Sequence, residues 1–426
     1  MTCEPKGAGV AGYLTRVVDA EVEDALATLG AVLIEGPRAC GKTATGLHHS
    51  ISNARLDALT DPATLARLAP DQILDGPVPR LIDEWQLAPT LWNLVRHQVD
   101  TRQAPGQFIL TGSATPADDV TRHSGAGRVL LVKLRPMTLW ELGQSSSQVS
   151  LAALMSGERA PSSQSALDFA ALVQTICIGG WPGLRNQPVA RAMTATRSYL
   201  DDLARIDLPQ VTGVRRDPER VRRLLKSLAR LSASPARVTT LAKDVSTDER
   251  PMKPDTATEY LEALSRVLVV EDQEAWAPKL RSRARLQVSP KRHFVDPSLA
   301  VAALGATPAR LTRDLNTLGL LFESLVVRDL RVYAQGIGGR VLHVRDEYGM
   351  EVDAIIELPD GTWSAIEVKL SGEREDEAAK SLHRFVDSVD TSHVGQPAAL
   401  IVITADHYGY TRDDGVAVVP LAALAP

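Results

Sequence analysis

The sequence predicts an α/β protein that begins with a parallel β-sheet flanked by helices. Short apolar runs alternate with helix-compatible stretches over residues 31–133, which is the pattern of a sheet covered by helices. A glycine-rich segment follows the first apolar run directly and precedes a helix-compatible stretch. A second series of short apolar runs, interrupted by helix-like segments, occupies the last part of the chain and predicts a further α/β domain there.

Length and composition bound the number of domains and the compartment. A chain of 426 residues is too long for one typical core, so we expect several domains. Hydrophobic residues make up 44% and charged residues 23%, which excludes wholesale disorder and fibrous classes. The sequence shows neither a membrane-length apolar run nor a secretory signal, and its three cysteines are scattered. We therefore expect a soluble, cytoplasmic protein without a membrane partner.

The glycine-rich segment after the first apolar run matches G-x-x-x-x-G-K-[ST], and its residues are Gly36, Pro37, Arg38, Ala39, Cys40, Gly41, Lys42 and Thr43. In this pattern the backbone N–H groups wrap around phosphate oxygens, and a helix N-terminus adds partial positive charge. We expect Lys42 to bridge the β- and γ-phosphates of ATP and the Thr43 hydroxyl to bind Mg²⁺. A glycine-rich turn without nucleotide is the alternative.

An acidic pair, Asp83-Glu84, ends the next apolar run, where the carboxyl edge of a strand faces a nucleotide crevice. We expect Asp83 to hold Mg²⁺, directly or through water. Glu84 is expected to orient and polarise the attacking water. Because surface acids end many strands, an ordinary solvated pair is the alternative.

Two further features of the N-terminal region are candidates for contact with the γ-phosphate. Thr111 and Ser113 lie at the end of another predicted core strand, Phe108–Ser113, with a helix cap or turn as the alternative. Arg128 follows a glycine-rich stretch and is a candidate to neutralise charge in the transition state, in its own subunit or in a neighbour's. An ordinary surface arginine is the alternative for Arg128, and an oligomer is compatible with the sequence.

These motifs, in this order, resemble a family of bacterial and archaeal AAA-type P-loop ATPases. The shared motifs are GPRxxGKT from Gly36, the Asp83-Glu84 pair, LTGS from Leu110, Gly127-Arg128, Pro136 with Glu141, and GGWP from Gly179. One departure is Ala114, where the family has a second serine. The resemblance continues through Ser289-Pro-Lys291, Asp296 and Glu323 to essentially the whole chain, and it implies a C-terminal domain of unknown function, DUF4143.

The last part of the chain carries the D…E-x-K pattern of metal-dependent nucleases in Asp353, Glu367 and Lys369. Glu367 and Lys369 are two residues apart and share one face of a strand. If residues 359–361 form a three-residue hairpin loop, Asp353 falls opposite Glu367 on that face. The two carboxylates would bind Mg²⁺, and Lys369 would position or deprotonate water for attack on a phosphodiester. The alternatives are a surface hairpin and a nuclease fold that binds without cleaving; Glu323 would add a carboxylate.

The middle of the chain is basic although the whole chain carries a net charge of -5. Residues 215–293 contain 18 lysines and arginines against 11 aspartates and glutamates. Three helix-like segments and then a basic stretch are the order of a winged helix. The basic groups that would contact duplex phosphates are the run Arg215–Arg230 and the cluster Lys279, Arg281, Arg283 and Arg285. Solvated helix faces and a protein-binding winged helix are the alternatives.

These observations predict four parts: an AAA-like P-loop ATPase domain over 1–145, a helical linker or lid over 146–214, a winged-helix-like domain over 215–305, and a restriction-endonuclease-like α/β domain over 306–426. The expected activity is ATP hydrolysis with Mg²⁺, coupled to binding of double-stranded DNA and to metal-dependent phosphodiester cleavage. The alternative is a nucleotide-gated signalling or interaction protein, switched by ATP and ADP, whose tail binds a partner without cutting.

Overall fold

The computed structural model describes residues 12–112, 125–209, 214, 216–248, 250–278, 288–346 and 349–426. The chain forms two compact units, residues 1–136 with 266–268 and residues 137–265 with 269–426. The candidates Ser113, Arg215, Lys279, Arg281, Arg283 and Arg285 lie outside the described residues. Among the helices that are described, none is both long and apolar enough to cross a membrane.

The N-terminal unit is built on a parallel sheet. Its strands are β1 (Ala31–Glu35), β2 (Ser52–Arg55), β3 (Arg80–Asp83), β4 (Phe108–Gly112) and β5 (Val129–Lys133). They lie in the order β2-β3-β4-β1-β5, and every pairing is parallel. All residues of β1, β3 and β4 are buried, as is usual for parallel strands covered on both faces. The predicted α/β fold with a parallel sheet is confirmed.

Helices cover this sheet, and their described members are α1 (Asp19–Thr28), α2 (Lys42–His48), α3 (Pro62–Leu68), α4 (Asp71–Leu74) and α5 (Leu91–Arg102). A buried cluster that includes Trp85, Trp92 and Phe108 fills the space between α5 and the sheet. The two tryptophan rings lie 5.2 Å apart between centroids. This packing holds the strands at whose ends the candidates Asp83, Glu84 and Thr111 lie.

The second unit contains a mixed sheet. The strands of this unit are β6 (Val149–Ser150), β7 (Ser163–Gln164), β8 (Val270–Gln273), β9 (Lys291–Phe294), β10 (Arg340–Arg345), β11 (Glu351–Glu357), β12 (Trp363–Lys369), β13 (Leu400–Thr404), β14 (Tyr408–Thr411), β15 (Ala417–Pro420) and β16 (Leu424–Ala425). Seven of them form one sheet in the order β10-β11-β12-β13-β15-β14-β7. The pairs β8-β9 and β6-β16 form two small separate sheets.

The described helices of this unit are α6 (Leu151–Met155), α7 (Phe169–Ile178), α8 (Val189–Asp202), α9 (Pro218–Arg230), α10 (Val238–Val245), α11 (Pro254–Arg266), α12 (Pro297–Leu304), α13 (Pro308–Leu311), α14 (Leu315–Gly336), α15 (Glu375–Ser388) and α16 (Thr391–Val394). A π-helix over Leu203–Asp207 extends α8. Helices α9 to α11 precede the antiparallel pair β8-β9, which is the predicted order of elements. The winged-helix assignment itself stays a prediction.

The hairpin β11-β12 has the register that a three-residue loop predicts. Ala354 pairs with Ile366, and the N–H of Leu358 donates to the carbonyl oxygen of Thr362 at 2.8 Å. The apolar face of the hairpin is buried, with Val352 and Ile366 both at 0% exposure. A shift of one residue would expose this face, so burial and loop length select the same register.

A buried ion-pair network joins distant segments of the second unit. The guanidinium of Arg328 in α14 lies 2.8 Å from Asp296 and 2.7 Å from Asp329. The N–H of Gly180 donates to Asp296 at 2.8 Å, and the N–H of Leu139 donates to Asp329 at 3.0 Å. The GGWP segment and Asp296, both part of the sequence resemblance, therefore meet at one structural network.

Candidate functional site

The glycine-rich loop lies at the carboxyl edge of the N-terminal sheet, between β1 and α2. Gly41 has a φ of 107°, a left-handed conformation that favours glycine, and it lets the chain turn into α2. A β-carbon on Gly36 would lie 2.2 Å from the carbonyl oxygen of Leu134, so a larger residue does not fit there. The two glycines of the motif thus set the path of the loop.

Two side chains of the loop are buried beneath it. Lys42 is 5% exposed, and its Nζ donates to the carbonyl oxygen of Pro37 at 2.8 Å. The ammonium group is therefore held against the backbone of the loop. Cys40 is fully buried, its Sγ lies 3.5 Å from the carbonyl oxygen of Leu134, and burial raises the pKa of its thiol. Cys40 is consequently a packing residue and not a reactive thiol.

Asp83 is the centre of a hydroxyl–carboxylate cluster at the same edge of the sheet. The hydroxyl of Thr43 donates to it at 3.0 Å, and that of Thr111 donates at 2.5 Å. Asp83 is 1% exposed, and Nε of Arg55 lies 3.8 Å from its second carboxylate oxygen. Because β4 lies between β1 and β3, Thr111 is brought beside Asp83. Carboxylate and hydroxyl oxygens are hard donors, so Thr43 and Asp83 fit Mg²⁺ by their chemistry.

Glu84 follows Asp83 in an uncommon backbone conformation. Its φ of 58° and ψ of 46° place it in the left-handed region, which non-glycine residues rarely adopt. Its N–H donates to the Thr111 hydroxyl at 3.3 Å, and the Gln86 amide donates to its carboxylate. Strained residues persist where their surroundings hold them, and they are frequent at functional sites. Thr111 therefore connects Asp83 and Glu84 through a single hydroxyl group.

Arg16, before α1, also contacts the loop although no sequence motif marks it. It is 4% exposed, and it donates to the carbonyl oxygen of Cys40 at 3.1 Å and to that of Arg135 at 2.7 Å. Arg16 thus joins the loop backbone at Cys40 to the segment that follows β5. A lone arginine outside any motif gives no signal from which this role could be predicted.

Beside the end of α2, the ligand atoms of Asp19, His48 and His49 lie within 4.8 Å of one another. His49 Nε2 is 3.0 Å from Asp19, and the hydroxyl of Tyr13 donates to the same carboxylate at 2.6 Å. The ring of Tyr13 stacks on His48 with 4.1 Å between centroids. These contacts anchor the segment before α1 against the helix that follows the phosphate loop.

Arg128 lies at the opposite edge of the sheet from the loop. It precedes β5, whose Val129 pairs with Ala31 at the start of β1, whereas the loop follows Glu35 at the end of β1. At about 3.3 Å per residue, the length of β1 separates these edges by about 13 Å. The guanidinium donates to Asp100 at 2.6 Å. Arg128 therefore lies at the end of the strands away from the phosphate loop of its own chain; its role in neutralising transition-state charge, in its own subunit or in a neighbour's, stays a prediction.

The tail brings its three predicted residues into one site. Lys369 Nζ lies 2.5 Å from a carboxylate oxygen of Glu367 and 3.8 Å from one of Asp353. The three side chains line a cavity of about 460 Å³, together with Ser381 and Arg384. A cavity with carboxylates, an ammonium and a guanidinium can receive a metal ion with a phosphate group.

Lys291, the first residue of β9, reaches the same carboxylates from the interior. Its Nζ lies 2.8 Å from Glu323, 3.0 Å from Glu351 and 3.3 Å from Asp353, and the residue is fully buried. Gln273 pairs with Lys291 across β8-β9 and donates its side-chain amide to the carbonyl oxygen of Asp353 at 2.9 Å. From the sequence, Lys291 was only the end of a basic stretch and part of a family motif.

The electrostatics of this cluster favour an additional cation. The carboxylates of Glu323, Glu351, Asp353 and Glu367 face the ammonium groups of Lys291 and Lys369, and Arg345 lies 3.9 Å from Glu351, which leaves a formal charge of −1. Burial and the charge of Asp353 raise the pKa of Glu367 to about 7 and that of Glu323 to about 8. Burial lowers the pKa of Lys291, but the surrounding carboxylates outweigh burial and raise it. The cluster thus holds excess negative charge.

The basic middle of the chain is partly neutralised by ion pairs. Nε of Arg222 lies 2.9 Å from Asp201, and the ammonium group of Lys291 is paired with carboxylates of the tail cluster. Arg223 and Lys226 are exposed on α9, three residues apart on one face of the helix, and Nε of Arg223 lies 3.8 Å from the carboxylate of Glu219 one turn earlier. Two basic side chains and one acidic side chain therefore lie on this face of α9.

Models of three protein families each match a different part of the chain. An AAA domain matches residues 29–143, a domain of unknown function (DUF8612) matches residues 170–310, and a domain of unknown function (DUF4143) matches residues 318–424. Uncharacterized proteins of Mycobacterium tuberculosis and Mycobacterium bovis are each 28% identical to the chain over 410 residues, which are 94% of this chain and 82% of theirs. The predicted resemblance to AAA-type ATPases with a DUF4143 tail is confirmed.

Two solved structures are similar over parts of the chain. The Walker-type ATPase of Pyrococcus abyssi, PABY2304, is 15% identical with a TM-score of 0.40, covering 67% of this chain and 94% of that one. The RuvB Holliday junction branch migration motor of Thermotoga maritima is 17% identical with a TM-score of 0.27, covering 60% and 88%. TM-scores this low carry no functional argument. The AAA match and the phosphate loop identify the N-terminal unit as a P-loop ATPase-like domain.

Proposed function

We propose that the chain binds and hydrolyses ATP with Mg²⁺ and couples its nucleotide state to the binding of double-stranded DNA. The observation that carries the first part is the cluster of Thr43, Asp83, Glu84 and Thr111 beside the phosphate loop. Thr43 and Asp83 supply hard oxygen donors for Mg²⁺. Glu84, at the same edge of the sheet, supplies a carboxylate that can act on water. The match of residues 29–143 to an AAA domain supports this proposal.

Each residue of the nucleotide site has a separate task in the proposed reaction. The loop Gly36–Thr43 holds phosphate oxygens through its N–H groups, and Lys42 moves from the Pro37 carbonyl to the β- and γ-phosphates. Bound Mg²⁺ supplies charge neutralisation there, with Thr43 and Asp83 as its protein partners. Glu84 accepts a hydrogen bond from water and orients it for attack. Thr111 holds Asp83 and the backbone of Glu84 in place.

Thr111→Val should lower ATP turnover about tenfold while the protein stays folded. Valine keeps the shape of threonine but removes the hydroxyl that donates to Asp83 and accepts from the N–H of Glu84, and a hydrogen bond to a charged group contributes about 1.5–3 kcal/mol. Turnover is measured by phosphate release. Thr101→Val, in the exposed part of α5, is the matched control and should retain full turnover. Equal rates for both variants would remove Thr111 from this role.

The proposed DNA contact rests on the exposed basic face of α9. Arg223 and Lys226 are both exposed, and the three helices α9 to α11 followed by β8-β9 have the order of elements in a winged helix. Neutralisation of backbone phosphates by such side chains dominates the affinity for duplex DNA. The aromatic content of 4% does not favour stacking on a single strand.

The double variant Arg223→Glu/Lys226→Glu should lower the affinity for duplex DNA at least about tenfold in low salt and reduce the slope of log K against log salt by about 2. Each reversed charge removes one phosphate contact. The measurement is a gel-shift titration with and without nucleotide. Arg67→Glu/Arg159→Glu changes two other exposed arginines by the same charge and is the control. The proposal fails when the wild type itself retains no duplex or when both double variants bind alike.

We also propose a metal-dependent phosphodiesterase site in the tail, with a restriction-endonuclease-like fold. Asp353 and Glu367 both line the cavity, and their carboxylate oxygens suit a divalent cation such as Mg²⁺. Burial lowers the pKa of Lys369, but Asp353 and Glu367 outweigh burial and raise it, so this lysine stays protonated. In the metal-free site Lys369 is therefore protonated, which suits it to position water or to steady phosphate charge.

A second candidate is a nucleotide-gated interaction protein whose tail binds a partner without cutting. The observation that favours it is Lys291, whose ammonium group already contacts three carboxylates of the tail. Complementation in a deletion strain separates the two candidates. Glu367→Ala keeps cellular function and Lys42→Ala loses it under the second candidate, whereas both variants lose it when cleavage is the function.

A further inference from the structure

The tail cluster has two sides that meet at Asp353. On the interior side, one oxygen of Asp353 faces Lys291 together with Glu323 and Glu351. On the cavity side, the other oxygen of Asp353 lies near Lys369, which pairs with Glu367. The two sides differ in exposure, since the side chain of Lys291 is 1% exposed and that of Lys369 is 20% exposed. The ammonium of Lys291 is closed off from solvent, whereas Glu351, whose side chain is 41% exposed, also lines the cavity.

We propose that the ammonium group of Lys291 stands in for a metal ion on the interior side, so that the tail takes one divalent cation, on the cavity side between Asp353 and Glu367. This inference rests on the proposed metal site of the tail. It assigns Lys291 as a positioning residue that sets metal stoichiometry, a role that neither the nuclease pattern nor its position in the basic stretch indicates.

The geometry around Lys291 is that of a bound cation. An ammonium group has three N–H donors, and Nζ has three carboxylate partners, at 2.8, 3.0 and 3.3 Å. Three carboxylates converging on one point would otherwise attract a divalent ion with oxygen ligands. A strand-borne lysine satisfies them without any metal.

The fold also holds Lys291 in this position. Its backbone belongs to the β8-β9 pair, and its partner Gln273 donates to the carbonyl oxygens of Asp353 and Leu342, both at 2.9 Å. The β8-β9 pair is therefore joined to β10 and to β11, the strand that carries Glu351 and Asp353. A cation placed this way stays with the site whether or not a metal is present.

The charge balance agrees with a single metal ion. Four carboxylates face two ammonium groups and the guanidinium of Arg345, which leaves a formal charge of −1 and favours the binding of a divalent cation. A second divalent ion would add two further positive charges beside the buried ammonium of Lys291. Removing that ammonium makes the formal charge more negative by one and frees oxygens of Glu323 and Glu351 for a second ion.

The test is a titration of nucleotide-free, full-length protein with Mn²⁺, followed by the electron paramagnetic resonance signal of free Mn²⁺. Lys291→Met is the informative variant, because methionine fills the buried stem but ends one atom short of the ammonium position. We expect one ion per chain for the wild type and for Lys291→Arg, and two for Lys291→Met. Lys380→Met removes an exposed lysine from α15 and should behave as the wild type. Asp353→Asn should lose the ion, which assigns it to the tail.

The outcomes separate this inference from the proposed cleavage. Two ions in the wild type, or equal stoichiometry and affinity in the wild type and Lys291→Met, overturn the inference and leave cleavage standing. No ion in the wild type but one in Lys291→Met supports the stand-in role of Lys291 and rejects metal-dependent cleavage.

Thermal melting keeps the proposal testable if Lys291→Met is poorly folded. In metal-free buffer this variant should melt below the wild type, because three carboxylates lose their shared cation. Mn²⁺ should restore its Tm toward the wild-type value and leave the Tm of Lys380→Met unchanged. A Tm of Lys291→Met that does not respond to Mn²⁺ contradicts the inference.

Discussion

Lys42→Ala should weaken ATP binding at least about 100-fold and reduce hydrolysis to background. The ammonium group of Lys42 lies 2.8 Å from the carbonyl oxygen of Pro37, within reach of phosphates that the loop would hold. Two charge-assisted hydrogen bonds to phosphate oxygens contribute about 1.5–3 kcal/mol each, and each 1.4 kcal/mol corresponds to a factor of 10 in Kd. Affinity is measured by titration with a fluorescent ATP analogue, and turnover by phosphate release.

The matched control for this variant is Arg67→Ala, which removes an exposed cation from α3 of the same unit. It should bind and hydrolyse ATP as the wild type does. A Lys42→Ala protein with wild-type affinity would mean that the loop does not hold a triphosphate, and the assignment of the whole N-terminal site would fall with it.

Glu84→Gln should retain ATP with nearly unchanged affinity but lower kcat at least about 100-fold. Glutamine keeps the size of the side chain and its contact with Gln86 but cannot take up a proton from water, and a positioned general base contributes about 10²- to 10⁴-fold. Asp83, Thr43 and Lys42 remain in place, so binding is preserved. Single-turnover phosphate release and nucleotide titration measure the two quantities separately.

Glu23→Gln, an exposed position in α1, is the control for the loss of one carboxylate in the same unit. Unchanged hydrolysis in Glu84→Gln would assign the water-orienting role elsewhere. Loss of ATP binding would instead indicate that Glu84 holds the loop together through its strained backbone.

The features that the sequence could predict are those with a local signal. The phosphate loop needs glycines at fixed positions, and the structure shows why, since a β-carbon on Gly36 would lie 2.2 Å from the Leu134 carbonyl oxygen. The register of β11-β12 follows from a three-residue loop and an apolar face, so the meeting of Asp353, Glu367 and Lys369 was predictable as well.

Features that depend on the order of strands were not predictable. No local pattern shows that β4 lies between β1 and β3, which is what joins Thr111 to Asp83. The parallel direction of β1 and β5 places Arg128 at the end of the strands away from the phosphate loop. An arginine after a glycine-rich stretch has the same local sequence at either end of a strand.

Long-range side-chain contacts escaped prediction for a similar reason. Arg16 reaches the loop backbone, and Lys291 reaches Glu323 and Asp353 far along the chain, through contacts that only the fold creates. In the sequence, a basic stretch favours a solvated or phosphate-binding role for Lys291. Burial reverses this interpretation, because a fully buried ammonium needs carboxylate partners.

The central claim is that the loop at Gly36–Thr43 and the carboxylate of Asp83 hold a nucleotide with its magnesium. Isothermal titration calorimetry of the full-length protein with ATP and Mg²⁺ tests it most directly. We predict one binding event per chain, weakened by chelation of Mg²⁺ and lost in Lys42→Ala. Absence of binding heat from the folded wild type with either ATP or ADP, at several temperatures, would contradict the claim.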